Sequence, residues 1–137
     1  MNIIKTLYNS QIYNYCYEFG SRYLGVETKD SDYDYYCLQK HFETIQNNLV
    51  KFGFICKNSS YFENSYEFTK ENIKIHIAVC QTEKEMACWK IACLMLKRGV
   101  PKIFLRDKDC RVKLFKDCRT TLTYFFANDE VDIDSIE

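Results

Sequence analysis

The stretch that decides the fold is FGSRYLGVETKDSDYDYY, residues 19–36. It starts with a Gly-Ser pair at the end of an apolar run and finishes with Asp32 and Asp34, which alternate with aromatic residues. Alternation with a period of two is typical of a β-strand, so the sequence predicts a strand over Ser31–Leu38. Side chains two residues apart on a strand share a face, so we expect the two carboxylates to lie side by side. Two like charges at that distance repel each other unless a cation or a proton relieves them.

The residue types in this stretch favour binding of a phosphate and a metal ion. Gly20 and Ser21 form a turn that offers backbone N–H groups and a hydroxyl with no bulky side chain in the way. Arg22 adds a positive charge, and Asp32 and Asp34 supply the oxygen ligands that Mg²⁺ prefers. A phosphate-binding turn followed by metal-binding carboxylates is the apparatus of phosphoryl or nucleotidyl transfer.

The spacing of these motifs resembles the signature of the nucleotidyltransferase superfamily that includes DNA polymerase beta, and above all that of its minimal members. The likeness rests on Gly20-Ser21, Gly25 and Ser31-Asp32-Tyr33-Asp34, with ten residues between Ser21 and Asp32. It implies that two Mg²⁺ or Mn²⁺ ions bind Asp32 and Asp34. It also implies that an NTP is the substrate and that its phosphates are bound at Gly20, Ser21, Arg22 and Gly25. Leu24 stands where the family often has a second basic residue.

The resemblance also implies a small α/β nucleotidyltransferase fold, with a twisted mixed β-sheet flanked by helices and a helical C-terminal extension. We expect one domain over residues 1–127, with its sheet core at about 12–80 and its helical part at about 83–127, followed by a flexible acidic tail at 128–137. The predicted strands are Ile12–Phe19, Ser31–Leu38, Phe52–Cys56, Tyr61–Thr69 and Ile73–Cys80. The predicted helices are His41–Lys51, Glu83–Arg98 and a last one from about Lys108 to Ala127.

Catalytic members of the family usually carry a third carboxylate on a later strand, and the matching position here is His76. Three interpretations stay open. In the first, His76 is the general base, since its ordinary pKa of about 6.5 suits proton transfer. In the second, Glu67 replaces the missing acid, because a hairpin loop at Lys70-Glu71 pairs Glu67 with Lys74, one diagonal step from His76. In the third, the site binds nucleotide or nothing, His76 is a buried histidine, and Glu67 belongs to an ordinary cross-strand ion pair.

Residues 90–119 form a basic segment, with ten Lys or Arg against three Asp. Such a segment attracts a triphosphate, RNA or an acidic partner, although a helix with a solvated basic face explains it equally well. Minimal members of the family work with a partner protein, often within a toxin–antitoxin pair. The resemblance therefore implies a protein partner of that kind, another acceptor protein, or a homodimer.

Composition limits the remaining classes. A hydrophobic fraction of 47% and a net charge of zero indicate a globular chain without overall attraction to nucleic acids. Eight cysteines lack zinc-site spacing and lie mostly in apolar runs, so we expect reduced thiols. The N-terminal residues do not read as a signal peptide and no apolar stretch is long enough to span a membrane, so we expect a cytoplasmic protein without membrane contact.

The function expected from the sequence is metal-dependent transfer of an NMP from an NTP to a hydroxyl on a protein, a nucleic-acid end or a small molecule. The alternative is a catalytically degraded homologue that binds a nucleotide or a partner, because the third carboxylate is replaced by His76.

Overall fold

The computed structural model describes residues 2–136 of the 137-residue chain and has a mixed α/β architecture. In chain order, the elements are α1 (Ile3–Asn9), α2 (Ile12–Tyr15), β1 (Cys16–Phe19), α3 (Gly20–Leu24), β2 (Tyr33–Leu38), α4 (Gln39–Lys51), β3 (Ile55–Asn58), β4 (Ser65–Lys70), β5 (Ile73–Cys80), α5 (Glu83–Gly99), α6 (Lys102–Leu105), α7 (Lys108–Phe125) and a 3₁₀ helix at Ile133–Ser135. The chain forms two compact units. The sheet unit contains the chain up to Glu18 and Asp32–Gln81, and the helical unit contains Phe19–Ser31 and the chain from Thr82 onward.

The strands of the described chain form one five-stranded sheet in the order β1-β2-β5-β4-β3. β2 and β5 run parallel, whereas β4 is antiparallel to β5 and to β3. Lys70 pairs with Ile73, so the turn between β4 and β5 consists of Glu71 and Asn72. Glu71 has a φ of 54°, and tight hairpins take such a positive φ at their first central position. The mixed α/β sheet expected from the sequence is confirmed.

One face of the sheet carries the apolar core of the sheet unit. Alternate residues of the strands point to it, and helices α1, α2 and α4 contribute the residues packed against them. The buried members of this core are Leu7, Ile12, Tyr35, Cys37, Ile45, Leu49, Phe54, Phe68, Ile75 and Ile77. Because strand side chains alternate between faces, the residues between them, including Asp34, Glu67 and His76, are left on the opposite face of the sheet.

The predicted strand over Ile12–Phe19 is wrong in its first half. Gln11 has a left-handed backbone with a φ of 73°, and the next four residues form the helical turn α2 before β1 begins at Cys16. This turn buries Ile12 completely, and burial outweighs the β-propensity of the neighbouring tyrosines. No element was predicted for Ile3–Asn9, which forms α1 and begins with the Asn2 side chain accepting a hydrogen bond from the Lys5 backbone.

Strands β3 and β4 begin later than predicted. Phe52 and Gly53 still bond to carbonyls of α4, and Gly53 adopts a left-handed backbone, so the chain cannot pair before Ile55. The residues from Ser59 to Asn64 form a loop rather than the start of β4. In contrast, the predicted helix His41–Lys51 is confirmed as α4, which begins two residues earlier.

The helical unit is organised around α5 and α7. Thr82 caps α5 by accepting a hydrogen bond from the Glu85 backbone. The Trp89 ring meets Phe19 and Phe115 edge-on at centroid distances of 5.0 and 4.9 Å. The Arg119 guanidinium lies 5.0 Å from the Trp89 ring, a cation–π arrangement. Phe19, Trp89 and Phe115 thus form an aromatic cluster inside this unit, and the Arg119 side chain covers two of its rings.

The acidic end of the chain contains the short 3₁₀ helix. Its Ile133 side chain is buried, and the Ile133 carbonyl accepts a hydrogen bond from Lys90 Nζ at 3.3 Å. The interpretations of residues 1–127 as one domain and of residues 128–137 as a flexible tail stay predictions.

Two expectations from composition can be compared with the structure. All eight cysteines are free thiols, and Cys37, Cys80, Cys88 and Cys93 are buried. Burial raises the pKa of Cys93, so this thiol stays protonated near neutral pH. Within residues 2–136, no helix has the length and apolarity to cross a membrane.

Candidate active site

A row of polar residues crosses the sheet on the face opposite the core. Asp34 of β2 lies opposite His76 of β5, His76 lies opposite Glu67 of β4, and Glu67 lies opposite Lys57 of β3. Residues directly opposite each other in neighbouring strands share a face, so these four side chains, the polar row, stand next to one another. The predicted pairing of Glu67 with Lys74 is wrong, because the hairpin loop is Glu71-Asn72 and Lys74 pairs with Thr69.

Two contacts connect the polar row. His76 Nδ1 lies 3.2 Å from Asp34 Oδ1, and Lys57 Nζ lies 3.5 Å from Glu67 Oε2. The His76 side chain is 6% exposed, Asp34 15% and Glu67 13%, whereas Lys57 is 65% exposed. The pair of His76 and Asp34 at β2 and β5 is therefore largely buried, whereas the ion pair of Lys57 and Glu67 at β3 and β4 reaches solvent through Lys57. Less water screens the interaction between His76 and Asp34, so it is the stronger of the two.

Two aromatic rings from the loop between β3 and β4 lie beside His76. The Phe62 ring stacks against the imidazole at 6.1 Å and an interplanar angle of 19°, and the Tyr61 ring lies at 6.3 Å. The loop is fixed by hydrogen bonds from Ser59 N to Ser65 O and from Ser65 Oγ to Phe62 O, both 2.8 Å long. The sequence analysis missed Phe62, and the signal that was available is its place in an aromatic-rich loop directly before the acid-bearing strand.

Asp32 does not lie on the strand. β2 begins at Tyr33, so the argument that strand geometry places the two carboxylates side by side applies only to Asp34. Asp32 is partly buried at the point where the chain enters β2. Within residues 2–136, no group of three or more His, Cys, Asp or Glu side chains is arranged as a metal site.

The predicted phosphate-binding residues lie in the helical unit, on the segment Gly20–Ser31. Gly20 has a φ of 80° and Gly25 a φ of 75°, backbone conformations that favour glycine. Ser21 is buried, and its carbonyl accepts from Val26 N at 3.0 Å, which closes the turn after α3. Arg22 donates to the Ser31 carbonyl at 2.9 Å, so its guanidinium holds the two ends of the following loop together.

A lysine of the basic segment reaches this loop. Lys102 at the start of α6 lies beside Gly25, and a Cβ added to Gly25 would be only 3.2 Å from Lys102 Nζ. Lys97 of α5 lies over the Tyr23 ring at 4.3 Å. Both lysines belong to the basic segment, but the sequence alone did not connect either with the turn, since Lys97 is 74 positions from Tyr23 and Lys102 is 77 from Gly25.

The structure thus brings together Asp34, His76 and Glu67 in the sheet unit. It also brings together Gly20, Ser21, Arg22 and Gly25 on one segment of the helical unit. The functional roles given to these residues stay predictions.

No protein-family model matches the chain, and no curated protein matches it. Two solved structures are similar to it. The crystal structure of Cid1 poly(U) polymerase is 16% identical, with a TM-score of 0.47 over 75% of this chain and 34% of that one. The structure of Cid1 in complex with the UTP analog UMPNPP is 17% identical, with a TM-score of 0.46 over 75% of this chain and 32% of that one. The chain therefore spans about a third of the length of these structures.

Proposed function

We propose that this chain is a metal-dependent nucleotidyltransferase that moves an NMP from an NTP to a hydroxyl acceptor. The observation that carries the proposal is the polar row, in which an imidazole lies directly between two carboxylates on neighbouring strands. The motif resemblance of Gly20-Ser21, Gly25 and Ser31-Asp32-Tyr33-Asp34 to the nucleotidyltransferase superfamily supports it from the sequence. Membership of the minimal subgroup is part of the same proposal.

The segment Gly20–Ser31 has the properties that a phosphate-binding role requires. Gly20 and Gly25 both have a positive φ, which favours glycine. Because glycine has no side chain, neither position blocks the approach of a phosphate. In this proposal the Gly20 and Ser21 backbone and hydroxyl bind the triphosphate. Leu24 stands where the family often has a basic residue, and in this proposal Lys102, beside Gly25, supplies the positive charge instead.

The donor atoms of Asp32 and Asp34 fit a hard divalent cation such as Mg²⁺ or Mn²⁺, which takes carboxylate oxygens and completes its shell with substrate phosphates and water. Asp34 uses Oδ1 for His76, and its other oxygen suits a metal ion. When bound, such an ion neutralises charge on the triphosphate and on the leaving pyrophosphate. The residues present fit one such ion better than two, because the third position is an imidazole rather than a carboxylate.

The proton of the acceptor hydroxyl needs a base, and two residues of the polar row are candidates. If Nδ1–H of His76 donates to Asp34, this hydrogen bond fixes the tautomer and leaves Nε2 as the basic atom, which is buried here and must become accessible before His76 can take the proton. Glu67, directly opposite His76, can take it at a carboxylate oxygen. Its partner Lys57 is largely exposed, so their ion pair is weak and leaves the Glu67 carboxylate able to accept a proton.

The second candidate function is nucleotide or partner binding without turnover. The contact between His76 and Asp34 favours it, because a histidine at this position adds no negative charge to hold a metal ion and occupies one oxygen of Asp34. The proposal leaves the acceptor open. It includes three kinds of partner as alternatives: a toxin-like or other protein, a second copy of this chain, and nucleic acid bound at residues 90–119.

The test is transfer of label from NTPs labelled at the α-phosphate to a cell extract, with Mg²⁺ or Mn²⁺. Wild type is compared with Asp34→Ala and with the matched control Asp30→Ala, which removes an exposed acid from the loop before β2. We expect labelled product with wild type and with Asp30→Ala. With Asp34→Ala, transfer should fall by about 100-fold or more, the effect of losing several kcal/mol of charge stabilisation.

Two further variants separate the candidate bases. His76→Asn keeps a side chain that can donate to Asp34 but removes the basic nitrogen, and Glu67→Gln removes the carboxylate. Whichever variant loses transfer while remaining folded identifies the base. If wild type transfers no label from any NTP yet binds the nucleotide in a filter or calorimetric assay, the chain is the binding module of the second candidate.

A further inference from the structure

The sheet unit contains a cavity of about 250 Å³ between α1 and the segment that follows α4. Helix α1 lines it with Lys5, Thr6 and Asn9, and the opposite wall is formed by Phe52, Phe54 and Lys70. No residue of the polar row lines this cavity, and its described lining contains no carboxylate. Among residues 2–136, no acid lies within ion-pair distance of Lys5 or Lys70, so these two lysines give the concave surface a positive charge that a ligand can neutralise.

The α1 side of the cavity follows from helical spacing. Asn9 is four residues after Lys5 and three after Thr6, so all three side chains reach the cavity, where the Thr6 hydroxyl donates to the Asn2 carbonyl at 3.1 Å. The other face of α1 buries Leu7 in the core of the sheet unit.

Lys70 is held in place before any ligand binds. Its Nζ donates to the Phe52 carbonyl at 2.6 Å, and its side chain packs over Gly53. A Cβ at residue 53 would lie 3.2 to 3.5 Å from the last three atoms of the Lys70 side chain, and the Gly53 φ of 97° excludes most other residues. An ammonium has three N–H donors, and the Phe52 carbonyl uses one of them. Lys70 is thus a partly buried, oriented cation.

The chemistry of the lining selects the ligand class. Two ammonium groups with the amide donor of Asn9 match the several acceptor oxygens and the double negative charge of a phosphate monoester. The volume lies just under the range of about 300–1,000 Å³ that holds drug-sized ligands, so the ligand is small. Phe52, which is half-buried, adds an apolar wall for the group that carries the phosphate.

We infer that this cavity binds a small phosphate-bearing molecule and that Lys5 and Lys70 contact its phosphate. The inference is independent of the proposed transferase activity, because it uses none of the residues assigned to that activity. Inorganic phosphate, a nucleoside monophosphate and a sugar phosphate share the required chemistry and differ in the group that would meet Phe52.

The test is titration of the isotope-labelled chain with inorganic phosphate, AMP and glucose 6-phosphate, followed by amide NMR. EDTA is present, so that metal-assisted binding at Asp32 and Asp34 does not contribute. We expect saturable shifts centred on the amides of Lys5, Thr6, Asn9, Gly53 and Lys70. The probe with the lowest Kd identifies the natural source of the phosphate among the three.

Charge-removing variants with matched controls decide between a site and general attraction. Lys5→Gln and Lys70→Gln should each weaken binding by about tenfold, the effect of one charge-assisted hydrogen bond. Lys51→Gln and Lys113→Gln, both at exposed positions outside the lining, should change Kd by less than about twofold, because in this proposal neither side chain contacts the ligand.

Three results would overturn the inference. They are no saturable shift with any probe, shifts spread over the surface rather than at the cavity, and equal weakening by the control variants. Lys5→Gln keeps the test informative if Lys70→Gln unfolds the chain, because the Lys5 side chain is exposed and makes no core contact.

Discussion

The segment Gly20–Ser31 and the polar row carry the two halves of the proposed chemistry, and they are built in different ways. In the segment, the hydrogen bond from Arg22 to the Ser31 carbonyl joins residues that are only nine positions apart. The polar row joins residues that are 42 positions apart, as in the contact between Asp34 and His76. A local turn is specified by its own residues, whereas a cross-strand row exists only if every strand pairs in the correct register.

This difference teaches where each region is sensitive. In the segment, a single backbone conformation at Gly20 or Gly25 decides the shape, and a side chain there introduces strain. In the polar row, the strands are fixed by the core on the other face, so a change of charge acts on its neighbours rather than on the backbone. The predictions below separate these two kinds of sensitivity.

The largest effect on stability is expected for His76→Asp. This change places a new carboxylate between Asp34 and Glu67, at a position that is 6% exposed, so the free energy of unfolding should fall by about 2–4 kcal/mol. Mg²⁺ or Mn²⁺ should restore part of the loss, because a cation neutralises the paired acids. Denaturant unfolding with and without metal measures both. The control His76→Asn, which adds no charge, should gain nothing from metal, and an equal gain would contradict the explanation.

The next effect tests the local turn. Gly20→Ala forces a residue with a Cβ into a φ of 80°, which should lower the free energy of unfolding by about 1–2 kcal/mol. Gly99→Ala is the matched control, because Gly99 has ordinary helical backbone and open space around it. Alanine should be neutral or stabilising there. Equal destabilisation by both variants would show that the positive φ at Gly20 is not what matters.

Lys102→Gln connects the turn with the proposed substrate. If Lys102 neutralises phosphate charge near Gly25, this variant should raise KM for the NTP by about fivefold and leave kcat nearly unchanged. Lys113→Gln, an exposed lysine paired with Asp117 on α7, should leave KM unchanged. Steady-state kinetics over a range of NTP concentrations checks this, and a fall in kcat alone would assign Lys102 a different role.

The smallest effect concerns pH. Burial, and after it the charge of Lys40, lowers the pKa of His41 from its ordinary value of 6.5, and the Tyr15 ring stacks on this imidazole at 4.2 Å. The unfolded chain therefore takes up a proton at higher pH than the folded chain does. The stabilising contribution is present above pH 6.5 and is lost as pH falls through the lowered pKa.

The His41 prediction can be measured directly, because the chain has only two histidines. An NMR titration should place the His41 midpoint below that of a model peptide, and Tyr15→Ala should move it back towards the peptide value. Between pH 7.5 and 5, the free energy of unfolding of His41→Gln should depend less on pH than that of wild type. A His41 midpoint at or above the peptide value would refute the assignment.

The register of one hairpin shows how far prediction of the candidate site could go. The sequence analysis identifies His76 and Glu67 as neighbours but pairs Glu67 with Lys74, because Lys70-Glu71 and Glu71-Asn72 are equally polar as loops. Both registers keep Phe68, Ile75 and Ile77 on the core face, because they differ by two residues, so the alternation of apolar and polar residues could not choose between them. Phe62 could not be placed beside His76 from the sequence, because the residue pattern of a loop does not determine its course over a sheet.

The start of the chain shows a similar limit for the fold. Tyr13 and Tyr15 favour a strand locally, yet the chain makes a helical turn there so that Ile12 is completely buried. Long periodic segments such as α4 and α5 were predictable, because their apolar residues recur at helical spacing and Thr82 marks a start.

By itself, the sequence determined the glycine-dependent turn, the capped helices, the alternating strands and the mixed α/β class, because each depends on interactions between residues close in the chain. The tertiary structure alone decided that His76 lies between Asp34 and Glu67, that Lys102 lies beside Gly25, and that Lys5 and Lys70 line one cavity. These arrangements depend on which distant segments share a core, and burial of apolar surface, which is not directional, sets that choice for the whole chain at once.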